Sequence, residues 1–383
     1  MKILLVSSSV LPYPGGSSVI VEQLAQNFSR HELLVLGSAP LLGRQYLERP
    51  SDMPAFLSFP CEFSLWGRGH RYFKWLLRYQ FKPLVQRVEQ LVRENDIDYI
   101  IGVYPNDFFC HAACRAAQNL KIPFSSYFHN TYVENTNITD PKAQDIQDEI
   151  FSQSEHIFVM SKGMQRFYEE KYQLAKFVPL VHTFDAYPPD ESLSGLPGAD
   201  KEVYQLVAIG NFNESNIEAT RRFLRAIENN QRYELNVYTH VPPMLLRQRG
   251  LDTSSFHLRG FVKPEEVHNV LQQYDICVLT HGFTGGYGEV EYRTIFPTRT
   301  IPMLLSGKPI LAHSPPNSFL NDFISENRCA SLVDEASESS IIAALDHLSG
   351  SLEQQEQLVQ AARKTAEQFY GPNVVQTLKE KLA

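Results

Sequence analysis

The chain lacks an excess of basic charge: 35 Lys and Arg stand against 43 Asp and Glu in 383 residues, a formal net charge of −8. Proteins that hold a phosphate backbone normally carry a basic face, so general nucleic-acid binding is set aside. Cysteine is scarce and odd in number, five in all, without the paired spacing of a zinc site or a disulfide framework. Cys110 and Cys114 lie one helical turn apart around His111, but no second ligand pair accompanies them, so they read as core cysteines of a reduced, cytoplasmic chain. No apolar run reaches bilayer length. The opening MKILLVSSSV has one lysine and no small-x-small cleavage site, which reads as a first strand and not as a signal peptide. Nor does any repeat of solenoid period recur.

What is present is a soluble, globular composition, 43% hydrophobic and 20% charged, in a chain too long for one core and therefore expected to form two domains. Short apolar runs at residues 3–6, 32–37, 98–103, 124–128, 156–160 and 177–181 alternate with helical patterns at 81–94, 108–119, 142–153 and 163–172. Alternation of this kind implies parallel strands layered with helices. DAYPPDESLSGLPGADKE, residues 185–202, breaks the pattern and reads as a linker. Strands resume at 204–210, 233–238, 255–258, 276–279, 309–312 and 330–333. The expectation is an α/β chain of two doubly wound, Rossmann-like domains facing a cleft. They would span residues 1–184 and 203–365, with a final helical segment at 366–383 packing back on the first. In such sheets ligands sit outside the carboxyl ends of the strands.

LPYPGGSSVIVEQLA, residues 11–25, follows the first strand with two glycines and two serines. Val21, Leu24, Ala25 and Phe28 recur at helical spacing, and Ser17 or Ser18 is placed to cap that helix. The stretch has neither GxGxxG nor a P-loop lysine. It serves either as a tight turn or as bare backbone that a charged ligand approaches closely. GGYGEVEYRTIFPTRTIPMLLSGKPILAH, residues 285–313, places a glycine-rich loop before a helix expected to open at Phe296-Pro297 and end at Ser306-Gly307. Arg299 falls in its first turn, where guanidinium and helix dipole would act together on a phosphate. From Phe63 to Val88 there is no acid, while Arg68, Arg71, Lys74, Arg78, Lys82 and Arg87 interleave with Trp66, Tyr72, Phe73, Trp75 and Phe81. That pattern suits either an anionic membrane surface or lipid phosphate, or an ordinary helix with its aromatics in the core.

Three stretches in order, PYPGGSSVIVEQLA, HLRGFVKPEEVHNVLQQYDICVL and LLSGKPILAH, resemble the family 4 glycosyltransferases of the GT-B fold, and the resemblance covers essentially the whole chain. It implies that a nucleotide sugar binds mainly to the C-terminal domain. The sugar would pass with retention of configuration, without metal or other cofactor, to a glycan or lipid-linked acceptor, in polysaccharide or glycoconjugate synthesis. The opening loop would face donor and acceptor across the cleft, through Gly15 and Gly16. His129, in SYFHN, matches a family histidine near the donor sugar. Gly210, Asn211 and Asn213 at the strand–helix turn, with Thr294, Phe296, Thr298 and Thr300, would line the donor.

Two departures stand out. Counting back from SGKP, the family's two glutamates fall on Thr294 and Pro302, so Glu289 and Glu291 upstream are the carboxylates offered to the ribose. GNFNESN, residues 210–216, stands where many members have an arginine and a lysine, so Arg299 would carry more of the diphosphate. A same-fold sugar-nucleotide epimerase, or a binding or assembly subunit without turnover, are the alternatives. The implied location is the cytoplasm, with peripheral contact at the inner membrane face through residues 63–88.

Overall fold

Branched apolar runs can bury both faces, and here they become the strands of two parallel sheets. The structure, a computed structural model, describes residues 1–12, 16–39, 49–61, 70–135, 138, 140–184, 196–198, 201–283 and 288–383, without the side chains of 70–77 and 264. Residues Met1–Asp185 with Gly371–Ala383 form one compact unit, and Ala186–Tyr370 a second.

In the first unit the order is β1 (Ile3–Ser7), α1 (Gly16–Gln26), β2 (Leu33–Ala39), β3 (Ala55–Pro60), α2 (His70–Asn95), β4 (Tyr99–Tyr104), α3 (Asp107–Leu120), β5 (Phe124–Phe128), α4 (Ala143–Gln153), β6 (Ile157–Val159), α5 (Lys162–Tyr172) and β7 (Phe177–Pro179). The sheet runs β3-β2-β1-β4-β5-β6-β7, and β1, an inner strand paired in parallel with β2 and β4, is buried throughout.

The second unit comprises β8 (Tyr204–Ile209), α6 (Ile217–Ile227), β9 (Tyr233–Tyr238), α7 (Pro243–Gln248), β10 (His257–Gly260), α8 (Val267–Leu271), β11 (Ile276–Thr280), α9 (Glu289–Thr294), α10 (Thr300–Leu305), β12 (Ile310–His313), α11 (Phe319–Asn327), β13 (Ser331–Val333), α12 (Glu338–Gly350) and α13 (Leu352–Ala366). Its sheet runs β10-β9-β8-β11-β12-β13. The last helix, α14 (Gly371–Leu382), returns to the first unit. There it buries Val374, Val375 and Leu378 in the first core, and Lys379 donates to Glu32 Oε1 at 2.6 Å.

Three local expectations change. α1 begins at Gly16, so Ser17 and Ser18 lie inside it and do not cap it. β3, AFLSFP, was not anticipated: as an edge strand it is only partly covered and lacks a continuous buried run. α10 begins at Thr300, which puts Arg299 at the N-cap and not in the first turn, and its six residues are too few to build a strong dipole.

Gly37 on β2 admits the side chain of Val10 from the loop after β1: a Cβ at Gly37 would lie 2.3 Å from Val10 Cγ2. Gly37→Ala is therefore expected to cost about 1–3 kcal/mol of stability through overpacking. Adding Val10→Ala should recover most of that loss in urea unfolding. A double variant no more stable than the single one would show that the contact is not the cause.

Candidate active site

In the second unit the turns leaving β8, β11 and β12 share the carboxyl edge of the sheet. Gly210 follows β8 with φ +105°, a region closed to most side chains. The side chain of Arg299 crosses this turn. Its Nη2 donates to the Thr280 carbonyl at 2.7 Å and its Nη1 to the Asn211 carbonyl at 3.2 Å. Arg299 Cδ lies 3.5 Å from the point where a Gly210 side chain would start. Its Nε, also buried, has no partner among the described residues. Burial lowers its pKa to about 10, which leaves the guanidinium charged at neutral pH. The structure thus brings Gly210, Asn211 and Arg299 together, with the cation held by carbonyls.

The other residues expected around the donor have different occupations. Asn213 uses its carboxamide oxygen on the loop itself, accepting from the Ser215 backbone at 3.1 Å and the Ser215 hydroxyl at 2.7 Å. Asn216 closes the same turn: its Oδ1 accepts from Asn213 N and its Nδ2 donates to the Asn211 carbonyl. Phe296 is 8% exposed and packs against Phe369 and Phe323, with ring centroids 5.5 and 4.8 Å away. It is a core residue and not a ligand wall. Thr294 donates its hydroxyl to the Val290 carbonyl one helical turn back, at 2.8 Å. Thr298 is exposed, whereas the Thr300 hydroxyl is buried with no partner among the described residues.

The two glutamates diverge on α9. Glu289 faces solvent, while Glu291 is 3% exposed. Burial pushes the Glu291 carboxyl up to about 7, against the opposing pull of the Gly288 N–H.

Sequence reasoning missed a second group beside this edge. His281, directly after β11, is 1% exposed and lies edge-on to Tyr292; burial lowers its pKa to about 4. His313, at the end of β12, donates from Nδ1 to the Val333 carbonyl and accepts from Arg222 Nη1 at Nε2, each at 3.0 Å. Arg222 also pairs with Glu218 and lies 4.9 Å over the ring of Phe283. The signal available was a strand end followed by HGF, residues 281–283.

In the first unit His129 follows β5. It is 7% exposed, stands edge-to-face on Tyr127 at 4.4 Å, and has no partner for either ring nitrogen among the described residues. Burial lowers its pKa to about 3, and His182, also pushed down by burial, lies beside it. Gly15 lies outside the described residues. Gly16 opens α1, and a side chain there would meet nothing within 4 Å.

Of the basic segment, residues 63–69 lie outside the described residues, as do the side chains of 70–77. Farther along α2, Phe81 packs on Phe108 and His111, Leu84 and Val88 are buried, and Arg78 and Lys82 face outward. No described helix is long and apolar enough to cross a membrane, and no described group of three or more His, Cys, Asp or Glu side chains is placed to hold a metal.

These shifts give stability two opposed pH limbs. His129, His281 and His313 stay neutral when folded, so stability is full above their unfolded pKa of 6.5 and is lost as pH falls toward 4. Glu291 keeps a proton in the folded state that the unfolded chain releases near 4.5, so its contribution is lost as pH rises toward 7, by roughly 3 kcal/mol at full ionisation. Urea unfolding of Glu291→Gln should show a gain over the parent at pH 8 and none at pH 4. An equal gain at both values would rule out the buried carboxyl as its source.

No protein-family model matches the chain, and no curated protein sequence matches it. Solved structures do. HepE of Anabaena, in complex with UDP, is 14% identical with a TM-score of 0.71, over 100% of this chain and 99% of that one. Sucrose-phosphate synthase of Thermosynechococcus elongatus is 13% identical with a TM-score of 0.68, over 99% and 97%. A putative UDP-N-acetylglucosamine 2-epimerase of Listeria monocytogenes is 11% identical with a TM-score of 0.59, over 100% and 95%. With two parallel Rossmann-like sheets of seven and six strands, the chain has the GT-B fold.

Proposed function

We propose that the protein is a retaining glycosyltransferase. It moves a sugar from a nucleoside-diphosphate donor to a hydroxyl of a glycan or lipid-linked acceptor, in polysaccharide or glycoconjugate synthesis, without metal or other cofactor. One observation carries this reading. Arg299 holds a charged guanidinium at the carboxyl ends of β8 and β11, over Gly210, against two carbonyls and, among the described residues, no carboxylate. That is where parallel α/β sheets take their ligands, and it is the charge that a departing diphosphate requires. The solved structures of HepE with UDP and with UDP-glucose support a nucleotide sugar as the donor class.

In the proposed reaction the acceptor oxygen bonds to the anomeric carbon on the face from which the bond to diphosphate breaks. The hydroxyl proton leaves with the departing phosphate oxygen. Arg299 stabilises the charge that develops there. Glu291 would accept from the ribose diol once ionised, and the exposed Glu289 is the other carboxylate within reach of that role. His129 enters as a neutral imidazole for the sugar through the family resemblance alone. The outward Arg78 and Lys82 of α2 favour peripheral contact with anionic lipid.

Nucleoside diphosphates should raise the melting temperature, and Arg299→Ala should weaken their binding about 10- to 100-fold, the worth of charge-assisted hydrogen bonds. Arg299→Lys should fall between, because it keeps the charge and loses the fork. Unchanged affinity in Arg299→Ala would remove the basis of the proposal. Product analysis with several sugar nucleotides then separates transfer from epimerisation, the reaction in the name of the Listeria structure.

A further inference from the structure

Arg299 is held by carbonyls from two different loops, Asn211 after β8 and Thr280 at the end of β11. The separation of those two carbonyls therefore sets where the guanidinium points. Within the turn after β8, Asn216 Nδ2 donates to the Asn211 carbonyl at 2.8 Å and fixes it from its own side. The Thr280 carbonyl is bracketed by two ties to the same turn. Thr220 Oγ1 donates to the Asn216 carbonyl, so in its 2.8 Å pair with Thr280 Oγ1 the Thr280 hydroxyl is the donor. Two residues on, Gly282 N–H donates to the Ser215 carbonyl at 2.7 Å. A ring is thus closed through Thr280, Gly282, Ser215, Asn216, Asn211 and Arg299.

The ring depends on there being no side chain at 282. Gly282 is buried, and a Cβ there would lie 2.8 Å from the Ser215 carbonyl oxygen and 3.2 Å from Tyr292 Cε1. The first contact is with backbone, which no change of rotamer relieves. Tyr292 is tied to the same turn, its hydroxyl donating to the Glu214 carbonyl at 3.3 Å. The φ of Gly282 lies outside the left-handed region, so alanine is opposed by contact and not by backbone conformation. Relief requires the loop after β11 to move off the turn after β8, and the Thr280 and Asn211 carbonyls move apart with it.

We propose that Gly282 is a positioning residue for sugar transfer: its bare Cα lets the two loops close on each other, which sets the spacing of the carbonyls that aim Arg299 at the departing diphosphate. This rests on the transferase reading above.

The test is a double-mutant cycle in the full chain between Gly282→Ala and Arg299→Ala, read as affinity for whichever of UDP, ADP and GDP binds the wild type most tightly. Gly282→Ala alone should lose about tenfold, and in the Arg299→Ala background should change affinity by no more than about twofold. Thr280→Val, which deletes the hydroxyl tie and keeps the backbone carbonyl, should lose about threefold and carries the same cycle if Gly282→Ala does not fold. Ile341→Val, in the core under α12 and outside the ring, should cost stability and leave affinity within about twofold. Turnover of the sugar nucleotide that the wild type uses should fall about tenfold in kcat in Gly282→Ala and stay unchanged in Ile341→Val. Unchanged affinity in Gly282→Ala, or an equal loss with and without the Arg299 side chain, would overturn the assignment and leave a packing contact. A ligand-free readout separates the two proposals: with isotope-labelled arginine, the Nη signals of Arg299, assigned by their absence in Arg299→Ala, should be resolved in the wild type and averaged in Gly282→Ala. If that change is seen but the wild type neither binds a nucleoside diphosphate nor turns over a sugar nucleotide, the transferase reading fails. The hold on Arg299 then stands and its role in transfer falls.

Discussion

Parallel pairing is the constraint on which the rest of this molecule depends. Every strand pair among the described residues is parallel. Each strand must therefore return through a crossover, and most turns that leave carboxyl ends gather along one edge of each sheet. The inner strands are buried on both faces, and several buried polar side chains stand at these ends. Ser7, Ser8 and His129 do so in the first unit, and Thr280, His281, His313 and Ser314 in the second.

At that edge the second unit separates charge from scaffolding. Within GNFNESN the side chains of Asn213 and Asn216 bond to the backbone and to Ser215 of their own turn, which uses carboxamide groups that a ligand would otherwise meet. Arg299 arrives from a distant segment and is supported by carbonyls, which orient a guanidinium without cancelling its charge. The arginine buried nearby is handled oppositely. Arg222 is paired with Glu218 and stacked on Phe283, so it braces the loop after β11 and has little charge left to offer.

Much of the fold was legible because it rests on local pattern. Central strands such as β1, β4 and β11 are unbroken apolar runs; of the stretch read as a linker, residues 185–195 and 199–200 lie outside the described residues. β3 was not legible because an edge strand needs only partial cover. Ser17 and Ser18 satisfied the rule for helix caps, yet α1 starts before them. Gly210 was expected from the family resemblance and Arg299 from its charge beside a glycine loop, and the structure sets the two side by side. Phe296 was misread because an aromatic beside a glycine loop looks the same in sequence whether it faces a ligand or, as here, Phe323 and Phe369. His281 and His313 escaped notice because a histidine at a strand end carries no mark of its burial.

By itself, then, the sequence determined the alternation of strand and helix, the division into two units and the glycine turns, since each depends on neighbours a few residues away. Tertiary structure alone decided which polar groups are consumed and which remain available. Arg299 meets the Asn211 carbonyl 88 residues away, and Arg49 meets Glu22 across 27 and Leu11 across 38. The state of a guanidinium or a carboxyl is set by how water is excluded around it and by what stands within about 3 Å, and chain spacing does not encode either.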